Sequence, residues 1–497
     1  MVDWTRVPVV VGTGQVTNRV EDPTAAPDPF DLMAEATGLA LAGSGKATAA
    51  AMTHCWMVHS LSLRHGDPAP VLARRLGMDG AEAVVSGMGG SIPQWLVNRA
   101  AELVAAGEQP CVLIVGAEAL ATRRRARKLG VELDWPSAPG WPDTWPPIEP
   151  DVGTHPVERA NGLVQATTMY ALIESAVAHA AGHEPAAQRR IMGELMERFN
   201  AVAVANPLSW FGTRRSAAEI ATTTADNRMI CFPYPKYMNA VMDVDMGAAF
   251  LVTDAATARQ WGLGPDEVAY LGGWADAHEV WYLSERPQVH TAPGLVECAR
   301  SALASAAVTV DEVDAFDLYA CFPSSIEVAC AGLGIAVDDP RPLTLTGGLQ
   351  YHGGPGSNYV THSVANTVDW LRAGHGEVAV VHGNGYFLTK QAVGVYRRPP
   401  PATEPTPPAA LQERVEALST ALPVEASYAG PGTILAYTAP YGRDGEPEGA
   451  VAVVDLGGRH TVARTDAATA RVLVGGDAVG AAVTVSPGAE GNTAALV

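Results

Sequence analysis

Two glycine loops are the places in this sequence where the backbone itself could do chemistry. One is Gly87-Met88-Gly89-Gly90 followed by Ser91, the other Gly354-Pro355-Gly356 followed by Ser357 and Asn358, and each leads into an apolar-periodic stretch. A loop that opens a helix presents unpaired N–H groups at the positive end of a dipole, so each could hold an oxyanion or lower the pKa of a nucleophile. Side chains with reactive chemistry lie close by in the sequence. His352 precedes the second loop, His382 and Gly383 end the strand after it, and Tyr319 and Cys321 stand in the segment YACF. Each has a plainer reading as well: a loop histidine bonded to backbone, a packed tyrosine, a buried inert thiol. Arg123, Arg124 and Arg125 open the run RRRARK, which could contact a phosphate bidentately or form a solvated helix face. Six cysteines are scattered through apolar segments with no CxxC pair, which supports neither a zinc knuckle nor a disulfide framework.

The elements that must position these residues repeat. Ser91 is an N-cap candidate, Pro93 suits a first helical turn, Gly107 stops a helix, and Cys111 to Gly116 reads as a buried strand. Shifted by 267 residues, the same order returns as a helix from Tyr359 to Ala373, a stop at Gly374 and a strand from Val378 to Gly383. Of the 31 positions from Ser86 to Gly116, six are identical to their counterparts, and four of the six are glycines: Gly87/Gly354, Gly89/Gly356, Gly107/Gly374 and Gly116/Gly383. These are positions where backbone geometry rather than packing selects the residue. Val7 to Gly12 reads as a buried parallel strand, Asp28-Pro29 opens a helix through Leu41, and Leu120 to Gly162 reads as an irregular cover rich in Trp and Pro.

Length and composition bound the rest. A chain of 497 residues exceeds one ordinary core, and a net charge of −20 argues against non-specific nucleic-acid or anionic-membrane binding. The first residues lack a signal-peptide pattern and no apolar run is long enough to span a bilayer, so a cytoplasmic protein with reduced thiols is expected. The Pro-rich stretch 397–408 is a stiff linker. It divides an N-terminal half (1–260, with a covering region at about 119–240) and a C-terminal half (261–396) from a terminal domain (409–497). Short strands at TILAYT, GAVAVVDL, HTVART and GAAVTVSP predict a small β-barrel there.

Gly347 to Tyr359, the turn VHGNG at Val381 to Gly385, YACF and DMGAA at Asp245 to Ala249, together with the duplication, resemble the thiolase superfamily. The resemblance covers about residues 5–396 and is nearest the sterol-carrier-protein-2 thiolases and the type-1 thiolase-like proteins with an additional OB-like domain. It implies two pseudo-symmetric halves in five α/β/α/β/α layers, binding of CoA thioesters, a role in lipid metabolism, and either a homodimer or a monomer. Active members acylate a cysteine at the head of the first repeated helix and use a histidine at the head of the second. Here those positions fall on Gly87 and Gly354, the second cysteine position on Val381, and the oxyanion-water residue on Tyr319. The resemblance therefore implies a CoA or acyl-CoA binder without ordinary thiolase chemistry, with the backbone of Gly87 and Gly383 as oxyanion hole. Gly354, His382 and Arg123 to Arg125 would contact the ligand, and His352, Tyr319 and Cys321 are the catalytic candidates. Alternatives are an acetyl-CoA acyltransferase with an unorthodox site and a non-catalytic partner of a CoA-lipid enzyme. No metal is expected.

Overall fold

A computed structural model describes residues 2–489 and 491–497. The two repeated helices, Ile92–Ala105 and Tyr359–Arg372, form its central layer. Both are apolar on more than one side, and Leu96, Val97, Val104, Val360, Val364 and Leu371 are fully buried. Burying one such side chain contributes about 1.5–3 kcal/mol, which explains why these helices hold the halves together. Each touches strands of both halves. Outer helices (Pro29–Ala42 on the first half, Pro293–Ser305 and Pro323–Leu333 on the second) complete the five layers of a thiolase fold.

The first half contributes five strands, in spatial order Glu82–Val85, His54–Met57, Val112–Ala119, Asp245–Asp254 and Pro8–Thr17. The second contributes four: Ala269–His278, Lys390–Arg397, Val378–Gly385 and Ala315–Leu318. The halves join edge to edge where Val9 and Val10 pair with Tyr270 and Ala269, making one nine-stranded sheet. The strand read as parallel from its apolar run spans Pro8–Thr17 and is antiparallel to both neighbours. Its apolar character comes from burial on both faces, which an antiparallel strand between helix layers shares with a parallel one.

The covering segment is more regular than expected. Leu120–Leu129 is a helix, ended by Gly130 in the left-handed conformation, and it carries the arginine run. From residue 131 to 155 the chain is irregular apart from a bridge between Val85 and Thr144. Beyond the Pro-rich stretch, the helix Leu411–Leu418 leads to five strands closed into a barrel. Four match the sequence expectation. The fifth, Gly491–Leu496, is polar and alternating and closes the barrel against His460–Thr465 and Ala482–Gly488.

Candidate functional site at the paired loop heads

The two repeats meet reciprocally. Asn358, which heads the second helix, donates from Nδ2 to the carbonyl of Gly116 at 2.8 Å, and a Cβ on Gly116 would lie 2.3 Å from its Oδ1. The counterpart contact sets Ser91 against Gly383, whose Cβ would lie 3.0 Å from Ser91 Cα. Gly89 packs on Gly385 while Gly356 packs on Glu118, again counterparts 267 residues apart. The Gly89 amide also donates to Ser357 Oγ at 3.1 Å. Backbone conformation is shared too: Gly89 and Gly356 have positive φ, as do Gly107 and Gly374, whereas Gly87, Gly354, Gly116 and Gly383 do not. The duplicated grammar is thus a pseudo-two-fold contact in which glycine lets each strand end and loop approach the other repeat.

The junction is filled by side chains from elsewhere. The phenol of Tyr319 lies against Gly90 so closely that a Cβ there would be 2.2 Å from Cζ. Pro146 of the covering segment lies over Gly87, with its carbonyl 2.7 Å from a would-be Cβ. The N–H of Gly87 finds no acceptor among the described residues. Lys390 Nζ donates to the Met88 carbonyl at 2.9 Å and to both carboxylate oxygens of Glu149 at 3.3 Å. Tyr386 donates to the same carboxylate. Burial pulls the Lys390 amine below its ordinary range, against the pull of Glu149. On the opposite side, Glu118 is fully buried and accepts from the amides of Leu61 and Ser62 and from Ser60 Oγ. Desolvation nevertheless raises its carboxyl to about 6.

His352 is fully buried, accepts or donates at Nδ1 with Ser209 Oγ at 3.1 Å, and leaves Nε2 without a partner. Its ring lies 5.1 Å from that of His362, and burial followed by this neighbour holds it well below the ordinary imidazole range. His362, bonded to Gln15, is pushed down to about 3 by the same desolvation. His382 pairs through Nε2 with Gln391 at 2.9 Å, leaves Nδ1 free of partners, and is lowered to about 4. The Cys321 thiol is buried and raised to about 11, so it stays protonated at neutral pH. Gly354 donates its N–H to the Val241 carbonyl at 2.8 Å.

The arginine run divides. Arg125 donates to buried Asp245 at 2.8 Å and to the Val20 carbonyl, and Arg124 forms a surface pair with Asp243. Arg123 donates to the carbonyls of Leu61 and Ser62 and lines a cavity. Sequence reasoning missed Lys390, Glu149 and Tyr386. No spacing rule singles out a lysine at the far end of a hairpin, where cross-strand register, Gly385 opposite Lys390, brings it to the loop.

Comparisons with known proteins agree with this fold. Residues 410–490 match the family model of the thiolase-like protein type 1 additional C-terminal domain. A monomeric SCP2-thiolase-like protein type 1 from Mycobacterium smegmatis is 34% identical over 100% of both chains, with a TM-score of 0.85. An Ltp2–ChsH2(DUF35) aldolase superposes at 0.60, with 16% identity over 79% of this chain and 98% of that one. Human mitochondrial 3-ketoacyl-CoA thiolase, solved in complex with CoA, superposes at 0.55, with 16% identity over 80% and 99%. No curated protein matches the chain. At this identity over its whole length, with the repeated core and the matching terminal domain, the chain belongs to the SCP2-thiolase-like proteins of type 1.

Proposed function

We propose that this protein binds CoA or an acyl-CoA at the paired loop heads, in lipid metabolism, and does so without thiolase turnover. The observation that carries the reading is the Gly87 loop. Its N–H finds no acceptor among the described residues, it lies just ahead of the first central helix, and neither it nor Gly354 bears a side chain that could attack or deprotonate. The backbone of Gly87 and Gly383 would polarise a thioester carbonyl, with Gly354, His382 and Arg123 along the ligand. Arg124 and Arg125 are assigned to the ligand on the same reading and would have to leave Asp243 and Asp245 to reach it. His352, Tyr319 and Cys321 remain the side chains nearest to a catalytic role. Against ordinary acyl transfer stand the protonated Cys321 thiol and the neutral, enclosed His352 ring. The compartment proposed is the cytoplasm, on the six buried cysteines that stay free thiols.

Titration calorimetry with CoA and acetyl-CoA tests the proposal. Saturable binding is expected, weakened at least about tenfold by Gly87→Val, whose Cβ would press on the Pro146 carbonyl. No thiolysis of acetoacetyl-CoA is expected. Absence of binding at millimolar ligand, or turnover at thiolase rates, overturns it. The buried amine of Lys390 beside Met88 favours one second reading, an acyltransferase with an unorthodox site. That reading requires an acyl adduct on the intact protein, detectable by mass spectrometry. A non-catalytic partner of a CoA-lipid enzyme is distinguished by CoA binding that strengthens when that second protein is present.

A further inference from the structure

We propose that a separate cavity behind the first loop head binds a phosphomonoester with a flat apolar body. The inference goes beyond the reading of the paired loops and shares Arg123 with it, but is carried by Arg64 and Arg127, which that reading does not use. The cavity has a volume of about 500 Å³ and lies at the carboxyl ends of the parallel strands His54–Met57 and Glu82–Val85, with Met57 and Val85 in its wall. That end of a parallel sheet is where open α/β folds take ligands, and the volume suits a small molecule. Pro68 and Leu63 add apolar surface, and Pro139 to Trp141 of the covering segment form the roof. A neighbouring cavity of about 310 Å³ shares Leu63, Arg64 and Arg123 and adds Arg127.

Charge is the second line of evidence. In a chain of net charge −20, Arg64, Arg123 and Arg127 gather at these two cavities, and none has an ion-pair partner among the described residues. The Arg123 guanidinium is held below its ordinary range by burial and then by Arg64, and Arg127 adds to this. Glu118 is the one carboxylate that favours the Arg123 charge, and its oxygens are engaged by Ser60, Leu61 and Ser62. Three like charges near a single, already engaged carboxylate repel, and a dianion between them converts repulsion into bidentate hydrogen bonds.

His59 also lines the larger cavity. Two guanidinium groups together ask for an oxyanion with several acceptor faces, which phosphate offers. The apolar roof and wall ask for a flat body beside it. The His59 amide donates to Ser86 Oγ at 3.0 Å, so this cavity and the Gly87 loop share a wall. The nucleotide half of CoA and a free phosphorylated metabolite therefore present the same chemistry here.

Calorimetry at low salt with 3′,5′-ADP, phenyl phosphate and inorganic phosphate tests the site. Both organic phosphates are expected to bind saturably and inorganic phosphate at least about tenfold more weakly. Arg64→Gln is expected to weaken them at least about tenfold, whereas Arg74→Gln on the exposed helix face leaves them unchanged. The Arg64 side chain makes no hydrogen bond or ion pair among the described residues, so this variant keeps the fold. Arg123→Gln is the confirming variant, with circular dichroism to show that it folds. Gly87→Val is expected to leave 3′,5′-ADP binding intact even where it weakens CoA, which separates this site from the loop heads. Loss of CoA affinity in Arg64→Gln in step with 3′,5′-ADP identifies the occupant as the CoA nucleotide; unchanged CoA affinity identifies a free phosphorylated metabolite. The proposal is overturned if no probe binds at millimolar concentration, or if Arg64→Gln binds as the wild type does.

Discussion

At the scale of single residues, the junction of the repeats is controlled by what glycine omits. Gly90 is the clearest case, because the Tyr319 phenol occupies the volume that any side chain at position 90 would need. Gly90→Ala is therefore an overpacking substitution, expected to cost about 1–3 kcal/mol in urea unfolding. Combining it with Tyr319→Ala should recover part of that loss, giving a favourable coupling energy of about 1 kcal/mol or more in a double-mutant cycle. Strict additivity would show that the ring yields at no cost and that the junction is loosely packed. Tyr319 was legible in the sequence as a departure from the family pattern at YACF. Its position against Gly90 was not, because a contact between residues 229 positions apart depends on how the two halves dock.

At the scale of elements, the repeated glycines make a paired prediction. Gly107 and Gly374 end equivalent helices with φ of +88° and +75°. Alanine in the left-handed region costs about 1–2 kcal/mol, so Gly107→Ala and Gly374→Ala should each lower stability by that amount. A Cβ at Gly107 would lie 3.1 Å from the Arg6 guanidinium, and one at Gly374 would lie 3.4 Å from that of Arg398; both neighbours are ends of flexible side chains. A loss at one site only, measured by urea unfolding, would break the equivalence of the two units. The repeat was readable from the sequence because such positions are dictated locally, by backbone conformation. The strand Pro8–Thr17 was found but its direction was misread, since an apolar run reports burial and says nothing of a neighbour's polarity. The barrel's fifth strand was missed because Gly491–Leu496 alternates small and polar residues, with only Asn492 and Ala494 buried. The helix under the arginine run was readable only as a solvated face within a cover read as irregular, because its charges dominate its pattern and only Ala121, Thr122 and Ala126 are buried.

At the scale of the whole molecule, the covering helices, the second half and the barrel converge on one buried polar cluster. Glu174 on Ala166–Ala180 and Glu327 on Pro323–Leu333 share the amide of Gln188, which lies 2.6 Å from Glu174 Oε1 and 2.9 Å from Glu327 Oε2. Tyr234 donates to Glu174 at 2.6 Å, and next to Glu174, Ser175 accepts from the Tyr437 amide of the barrel. Burial, then the Glu174 charge, drives the Glu327 carboxyl far above its ordinary range, and burial also raises Glu174. The native state thus keeps a proton at pH values where the unfolded chain, with carboxyls near about 4.3, has lost it. Stability from this pair is complete below that value and falls as pH rises toward the raised native pKa, at about 1.4 kcal/mol per pH unit for one proton. Glu118, raised to about 6, falls in the same direction but only up to that pH. The buried histidines act oppositely: His362 at about 3 and His382 at about 4 favour folding above the unfolded imidazole value, and their contribution is lost as pH falls through the native ones. Between pH 6.5 and 8 the histidine and Glu118 contributions are common to the wild type and a Glu327 variant, so the difference between their slopes isolates the Glu174–Glu327 pair. Glu327→Gln should then be more stable than the wild type at pH 8, and its unfolding free energy should lack the fall with pH that the pair adds to the wild-type slope across that window. Equal slopes in urea unfolding at pH 6.5, 7.25 and 8 would mean that the pair holds no proton in the native state.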